Sequence, residues 1–233
     1  MEKRKPLLPG YALVVVLFLL VIQWGSRTVT VMTETRPIGR DHSIIIDAGH
    51  GGIDGGATSC TGKLESSFNL EIALRLNDLM HLLGHDRVMV RTEDTSVYTK
   101  GETIAQKKVS DLKERVRIVN EAEDPLLLSI HQNNFTDGKY SGAQVFYAET
   151  EGSEVLARNL QDAFVSTLNP GSNRKCKKID GVYLMEHINC TGVLIECGFL
   201  SNAGEEARLR TAEYQKKLCC VIAATVSSFL SNT

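Results

Sequence analysis

Asp47 and His50 break the stretch IIIDAGHGGIDGG at residues 44–56, directly after three consecutive isoleucines. A second histidine, His131, follows the apolar run LLLSI and precedes Gln132, Asn133 and Asn134, while an acid, Glu196, follows Val193, Leu194 and Ile195. Two neutral imidazoles and a carboxylate can bind Zn2+ and leave a fourth position open, the arrangement of catalytic rather than structural zinc sites. Glycines at 49, 51, 52, 55 and 56 let the backbone turn tightly and approach a ligand with no Cβ in the way. Taken alone, such a loop is also what a plain tight connection looks like, and Glu196 also reads as a surface acid at a strand end. A carboxylate enclosed between an apolar run and Gly198-Phe199 is costly to bury unpaired, so Glu196 is expected to have a charged partner. The loop has neither the Gly-Lys-Ser/Thr ending of a P-loop nor the G-x-G-x-x-G fingerprint, so nucleotide binding drops away. His81 and His85 border a helix end, and His42 and His187 lie among polar residues; these four are expected to be solvated.

The elements that must position these groups alternate between short apolar runs and helix-period segments. Strands are predicted at Ile44 to Ile46, Arg87 to Arg91, Leu126 to Ile130, Gly142 to Ala148 and Val193 to Ile195. Beyond Glu65, Phe68, Ile72, Leu76, Leu79, Met80 and Leu83 recur every three or four positions, which predicts a helix that stops at Gly84. Further helices are predicted over Leu112 to Val119, Glu154 to Leu168 and Tyr214 to Leu230. IIID, LLLSI and VLI are apolar without alternation, as expected of strands covered on both faces. The fold class is therefore α/β, a single domain with a twisted, mostly parallel central sheet covered by helices on both faces. Functional groups in such folds gather beyond the carboxyl ends of the strands, where three strands would deliver Asp47 with His50, His131, and Glu196.

The bulk composition suits one ordinary globular domain: 233 residues, 42% hydrophobic and 23% charged. A formal net charge of -2 offers no global attraction to nucleic acid. Tyr11 to Trp24 is apolar and follows Lys3, Arg4 and Lys5. Residues 1–25 therefore read as an export signal, either a retained anchor or a cleaved signal peptide, with the rest of the chain facing outward. Residues 26–42 read as a polar linker and 43–233 as the catalytic domain. Six cysteines in an exported chain make disulfides chemically accessible, but their spacing forms no CxxC and packed free thiols are expected. Arg174, Lys175, Lys177 and Lys178 form a basic run, read either as a solvated loop or as a contact for an anionic peptide or partner protein.

The order and identity of several segments resemble the zinc-dependent N-acetylmuramoyl-L-alanine amidases of bacterial cell-wall metabolism, of the amidase 3 type. The matching pieces are IIIDAGHGGIDGGA (44–57), Leu64-Glu65 with NLEIALRL (69–76), VRTED (90–94), LKERVRIVN (112–120), LLLSIHQN (126–133) and VLIECGFLSN (193–202). By this resemblance His50, Glu65 and His131 are the Zn2+ ligands and Glu196 is the catalytic glutamate; Glu65 enters through the family alone. Asp47 and Asn133 are candidates for orienting the imidazoles. The chain departs from the family's usual pattern at Ala48, Ser66, Gln132 and Thr191-Gly192, without losing a ligand. The single-domain build, the N-terminal segment and ECGFLSN look most like the spore-cortex branch, whose members help form muramic δ-lactam. The resemblance implies hydrolysis of the amide joining the lactyl group of N-acetylmuramic acid to L-alanine of the stem peptide. Its implied partners are peptidoglycan glycan strands and stem peptides, the membrane if the N-terminal segment is kept, and an accessory lipoprotein. The implied location is the outer face of the cytoplasmic membrane or beyond, including the intermembrane space of the developing spore. The competing readings are a non-catalytic peptidoglycan-binding scaffold on the same fold and a zinc carboxypeptidase acting on the stem peptide.

Overall fold

The first strand, β1 (Ser43–Ala48), is buried along its whole length, which is why SIIIDA carries no alternation of polar and apolar residues. The computed structural model describes residues 42–232. The segments expected at 1–25 and 26–42 lie outside the described residues, apart from His42. Five further strands complete one sheet: β2 (Arg87–Met89), β3 (Pro125–Asn133), β4 (Gln144–Tyr147), β5 (Lys177–Lys178) and β6 (Thr191–Phe199), in the order β2-β1-β3-β6-β4-β5. β1 pairs in parallel with β2 and β3, and β3 in parallel with β6; β4 runs antiparallel to β6 and pairs in parallel with β5.

Six helices wrap the sheet: α1 (Glu65–Leu82), α2 (Ile104–Glu121), α3 (Ser153–Thr167), α4 (Tyr183–His187), α5 (Ala203–Leu209) and α6 (Ala212–Leu230). Successive strand residues face opposite sides, so the sheet feeds two cores. Ile44, Ile46, Leu126, Leu128, Val193 and Ile195 pack with Phe68, Ile72 and Leu76 of α1, Leu160 and Phe164 of α3, and Leu218 and Ile222 of α6. On the other side Ile45, Leu127 and Leu194 meet Val119 of α2 and Leu184 and Met185 of α4. Each such aliphatic or aromatic side chain, fully removed from water, stabilises the fold by roughly 1.5–3 kcal/mol. The expected doubly covered, mostly parallel α/β sheet is what the chain forms. Among the described residues no helix is long and apolar enough to cross a membrane.

Several boundaries differ from the sequence reading, each for a local reason. α2 begins at Ile104, eight residues before the predicted Leu112. Thr103 and Gln106 form a reciprocal capping box that starts it, while its first two turns are largely exposed and so lack the apolar period. β3 continues through His131 to Asn133, and β6 runs past Glu196 to Phe199. The register passes from His131↔Glu196 to Asn133↔Phe199, so β6 carries one extra residue there, a bulge of the kind that re-aims side chains beside functional sites. The short elements α4, α5 and β5 had no readable period.

Candidate metal centre

Gly49 to Gly56 form the loop that leaves β1, and its shape is set by what surrounds it. A Cβ on Gly49 would stand 2.2 Å from the His131 ring, and one on Gly56 would stand 2.6 Å from Glu65 Oε2 and 2.7 Å from His50 Cδ2. These two positions are glycine because the His131, Glu65 and His50 side chains fill the space a side chain would need. His50 itself takes a left-handed backbone with φ 60°, uncommon for a residue with a Cβ and a form of strain that clusters at functional sites. Two buried arginines hold the loop in that shape. Arg115 of α2 donates to His50 O at 2.7 Å, to Ala48 O at 3.1 Å and to Asp111 Oδ2 at 2.7 Å, and also bonds the Asp47 carboxylate. Arg91 donates to Ala48 O, Gly49 O and Ser66 O at 2.8–3.1 Å.

His50, Glu65 and His131 converge as the sequence reading expected: one donor atom from each lies within 4.8 Å of the others, a grouping that could hold a metal ion. Glu65 opens α1 and reaches back under the loop. Its Oε1 lies 3.0 Å from His131 Nδ1 and its Oε2 lies 3.3 Å from His50 Nε2. Ala57 N donates to Oε2 at 2.9 Å, while Gln132 N and Asn69 Nδ2 donate to Oε1 at 3.3 and 3.2 Å. Burial opposes the charge on Glu65, but the two imidazoles outweigh it and hold the carboxyl well below the usual carboxylate range. Burial likewise opposes a charge on His50, yet Glu65 and Asp54 together raise its pKa to about 9. The site fits a divalent ion on its own chemistry: two imidazoles and an ionised carboxylate are the donor set of an open zinc site.

Glu196 stands opposite His131 across the β3–β6 ladder and lines the same cavity as His50 and His131. Its Oε2 is enclosed and makes no hydrogen bond among the described residues. Burial is the leading cause that lifts its pKa to about 7, with the Glu65 charge adding to the rise and the two histidines opposing it. A carboxylate poised near neutrality can both take and return a proton. The cavity has a volume of about 570 Å3, and its lining also includes Ile53, Lys107, Lys108, Phe146, Ile179 and Tyr183.

The orienting groups differ from those expected. Asp47 bonds Arg115 and Ser129 Oγ rather than an imidazole, and the acid that meets His50 Nδ1 is Asp54, at 2.9 Å. Asp54 was missed by the sequence reading, although it lies four residues from His50 in the same glycine loop. Arg91 and Arg115 were also missed, although Arg115 lies one turn before Val119 on the buried face of α2. Of the remaining histidines, none joins the cluster. His85 is not solvated as expected: it is 4% exposed and bonds Ser227 Oγ at 2.7 Å. All six cysteines are free thiols, with Cys197 and Cys219 buried.

A family profile described as N-acetylmuramoyl-L-alanine amidase matches residues 44–228. A germination-specific N-acetylmuramoyl-L-alanine amidase of Bacillus subtilis is 40% identical over 182 residues, covering 77% of this chain and 76% of the relative. Among solved structures, the CwlD amidase of Clostridioides difficile in complex with the GerS lipoprotein superposes with a TM-score of 0.78 at 36% identity, covering 82% of this chain and 99% of that one. An N-acetylmuramoyl-L-alanine amidase from Clostridium difficile 630 gives 0.71 at 31% identity, covering 83% and 98%.

Proposed function

This chain belongs to the N-acetylmuramoyl-L-alanine amidase family, and we propose that it is a zinc-dependent member acting on spore-cortex peptidoglycan. The bond cut joins the lactyl group of N-acetylmuramic acid to L-alanine of the stem peptide. In this reading His50, Glu65 and His131 hold the ion and Glu196 is the catalytic acid and base. The observation that carries it is the convergence of two imidazoles and a carboxylate within 4.8 Å, with both imidazoles lining a cavity that Glu196 also lines.

Zinc bound there would supply Lewis acidity, making water a better nucleophile and polarising the amide carbonyl. The chain's own residues do the rest. Asp54 accepts the Nδ1 proton of His50, which leaves the Nε2 lone pair facing the cluster; a carboxylate behind a ligand imidazole fixes its tautomer and orientation. Ala57 N, Gln132 N and Asn69 Nδ2 keep the Glu65 oxygens from swinging away. Glu196 removes a proton from the attacking water and delivers one to the departing alanine nitrogen, a role suited to a carboxylate with a raised pKa. Ile53, Phe146, Ile179, Val182 and Leu194 give the cavity an apolar wall, which lowers the local dielectric and strengthens each of these electrostatic interactions.

The spore-cortex role is supported by the likeness to the germination-specific relative. The likeness to the amidase solved with a lipoprotein supports an accessory lipoprotein as partner. The basic-flanked apolar run at residues 11–24 supports residues 1–25 as a signal anchor or signal peptide, 26–42 as a linker and 43–233 as the catalytic domain, working outside the cytoplasmic membrane. N-terminal sequencing of the mature protein decides between anchor and cleaved signal, and loss of muramic δ-lactam from the cortex on gene deletion tests the spore role. The deciding experiment for the chemistry is metal analysis of the purified protein with mass spectrometry of peptidoglycan digests. A zinc-dependent release of free peptide beginning with L-alanine is expected. Shortened peptides still attached to sugar would instead identify a carboxypeptidase, and binding without cleavage a scaffold.

A further inference from the structure

The basic run at 174–178 is the obvious place in the sequence to look for a carboxylate receptor, and the structure turns it elsewhere. Arg174 stacks on the Phe199 ring at 4.9 Å and donates to Ser141 O at 3.1 Å, and Lys178 pairs with Glu149 at 2.7 Å. No residue of the run lines the cavity that holds His50, His131 and Glu196. Two lysines of α2 do, Lys107 and Lys108. Lys108 is spoken for, with its ammonium 2.8 Å from Asp54 Oδ1. The cavity's arginine, Arg115, is satisfied by Asp47 and Asp111. Lys107 is half-buried, and among the described residues no carboxylate forms an ion pair with it. Its ammonium lies 5.2 Å from the centre of the Tyr98 ring, a contact that favours a cation while leaving its N–H donors open.

A half-buried lysine in the lining of this cavity, with no ion-pair partner among the described residues, is set to receive an anion that arrives with the substrate. Resting on the amidase reading of the same site, we propose that Lys107 binds the free α-carboxylate of the second, γ-linked acidic residue of the stem peptide. That residue lies one step beyond the alanine whose amide is cut, and Lys107 lines the same cavity as His50, His131 and Glu196. The enzyme therefore discriminates a stem peptide with a free carboxylate from one in which that group is a carboxamide. The discrimination resides in substrate binding, because the contact is remote from the reacting atoms and is made equally before and during the reaction.

The test compares two synthetic muramoyl tripeptides that differ only in carboxylate or carboxamide at the second residue. Wild type is expected to prefer the carboxylate by roughly tenfold in kcat/KM, the size of one partly exposed charge-assisted hydrogen bond, and the preference should shrink as salt is raised. Lys107→Met should raise KM for the carboxylate substrate, leave kcat and the carboxamide substrate nearly unchanged, and so erase the preference. Lys107→Arg should keep it, and Lys178→Met should not alter it. A wild type without preference, an equal loss on both substrates in Lys107→Met, or a preference abolished by Lys178→Met overturns the assignment. Hydrolysis of neither substrate by wild type would refute the amidase reading instead. Calorimetric binding of the two peptides to wild type and Lys107→Met would then decide the Lys107 assignment by itself.

Discussion

Arg115→Met is the substitution whose effect the structure specifies most fully. Arg115 and Asp47 are 2% and 1% exposed, so removing the guanidinium strands a carboxylate away from water. Ser129 Oγ, at 2.7 Å, is the hydrogen-bond donor that remains to Asp47. Breaking a buried pair from one side costs about 3–5 kcal/mol because the surviving charge is uncompensated. For a domain of this size each kcal/mol lowers the melting temperature by roughly 2–4 °C, so a fall of about 6–20 °C is expected. The same change frees the His50 carbonyl, bonded to Arg115 at 2.7 Å, and with it a backbone held at φ 60°; zinc occupancy should fall alongside stability. Urea unfolding followed by circular dichroism, with metal analysis of the same samples, measures both. The double variant Asp47→Asn with Arg115→Met removes the stranded charge, and a coupling of about 0.5–3 kcal/mol should make it more stable than the sum of the single losses predicts. It should still fall short of wild type, because the bonds to Ala48 O, His50 O and Asp111 stay broken. A single-variant loss below about 1 kcal/mol, or a double variant at or below the additive sum, would refute the reasoning.

Glu196→Ala should keep its zinc and lose roughly 10²- to 10⁴-fold in turnover, whereas His50→Ala should lose the metal; undiminished turnover in the Glu196 variant would end its assignment. Asp54→Asn should weaken zinc binding roughly 10- to 100-fold by loosening the His50 ring, read by competition with a chelating dye; unchanged affinity would remove Asp54 from the role. Gly56→Ala places a Cβ 2.6 Å from Glu65 Oε2 at a position with φ 67°, so about 1–3 kcal/mol of stability and much of the metal affinity should go together in a melting and metal-content measurement. Acid should unfold wild type partly through Asp47: burial opposes its charge, but Arg115, His131 and Ser129 more than offset this and lower its pKa. The folded protein thus stays ionised where the unfolded chain has bound a proton, so this contribution is complete above about pH 4 and is lost as pH falls through the lower native value. Asp47→Asn should show a flatter acid limb in urea midpoints taken from about pH 5 downward, and parallel limbs would count against it.

The sheet and the three strand-end residues were legible because they rest on strong local contrasts. Runs of β-branched and aliphatic residues stop abruptly at Asp47, at His131 and at Glu196, and a core strand tolerates no such interruption without a use for it. Glu65 was different. An acid at the first turn of a helix has a commonplace electrostatic benefit, so nothing local set it apart and only the family resemblance picked it out. Arg91 escaped because its partners are carbonyls of Ala48, Gly49, Ser66 and Glu93, and backbone acceptors leave no mark in a sequence; Arg115 bonds such carbonyls too, and its carboxylate partner Asp47 lies on a different element of the fold. Asp47 and Asp54 were both visible as acids near His50. Which of them meets the ring depends on the left-handed turn at His50, which the string of glycines permits but does not specify.

The sheet order has an outcome for when activity can first arise. β6, which carries Glu196, is the last strand of the chain but slots between β3 and β4, and its pairing with β3 brings Glu196 level with His131. A nascent polypeptide that has not yet released its final segments holds the two imidazoles and Glu65 in sequence but lacks Glu196 and the strand that carries it. On the role proposed for Glu196, hydrolytic competence waits until this last strand has been made and has paired with β3.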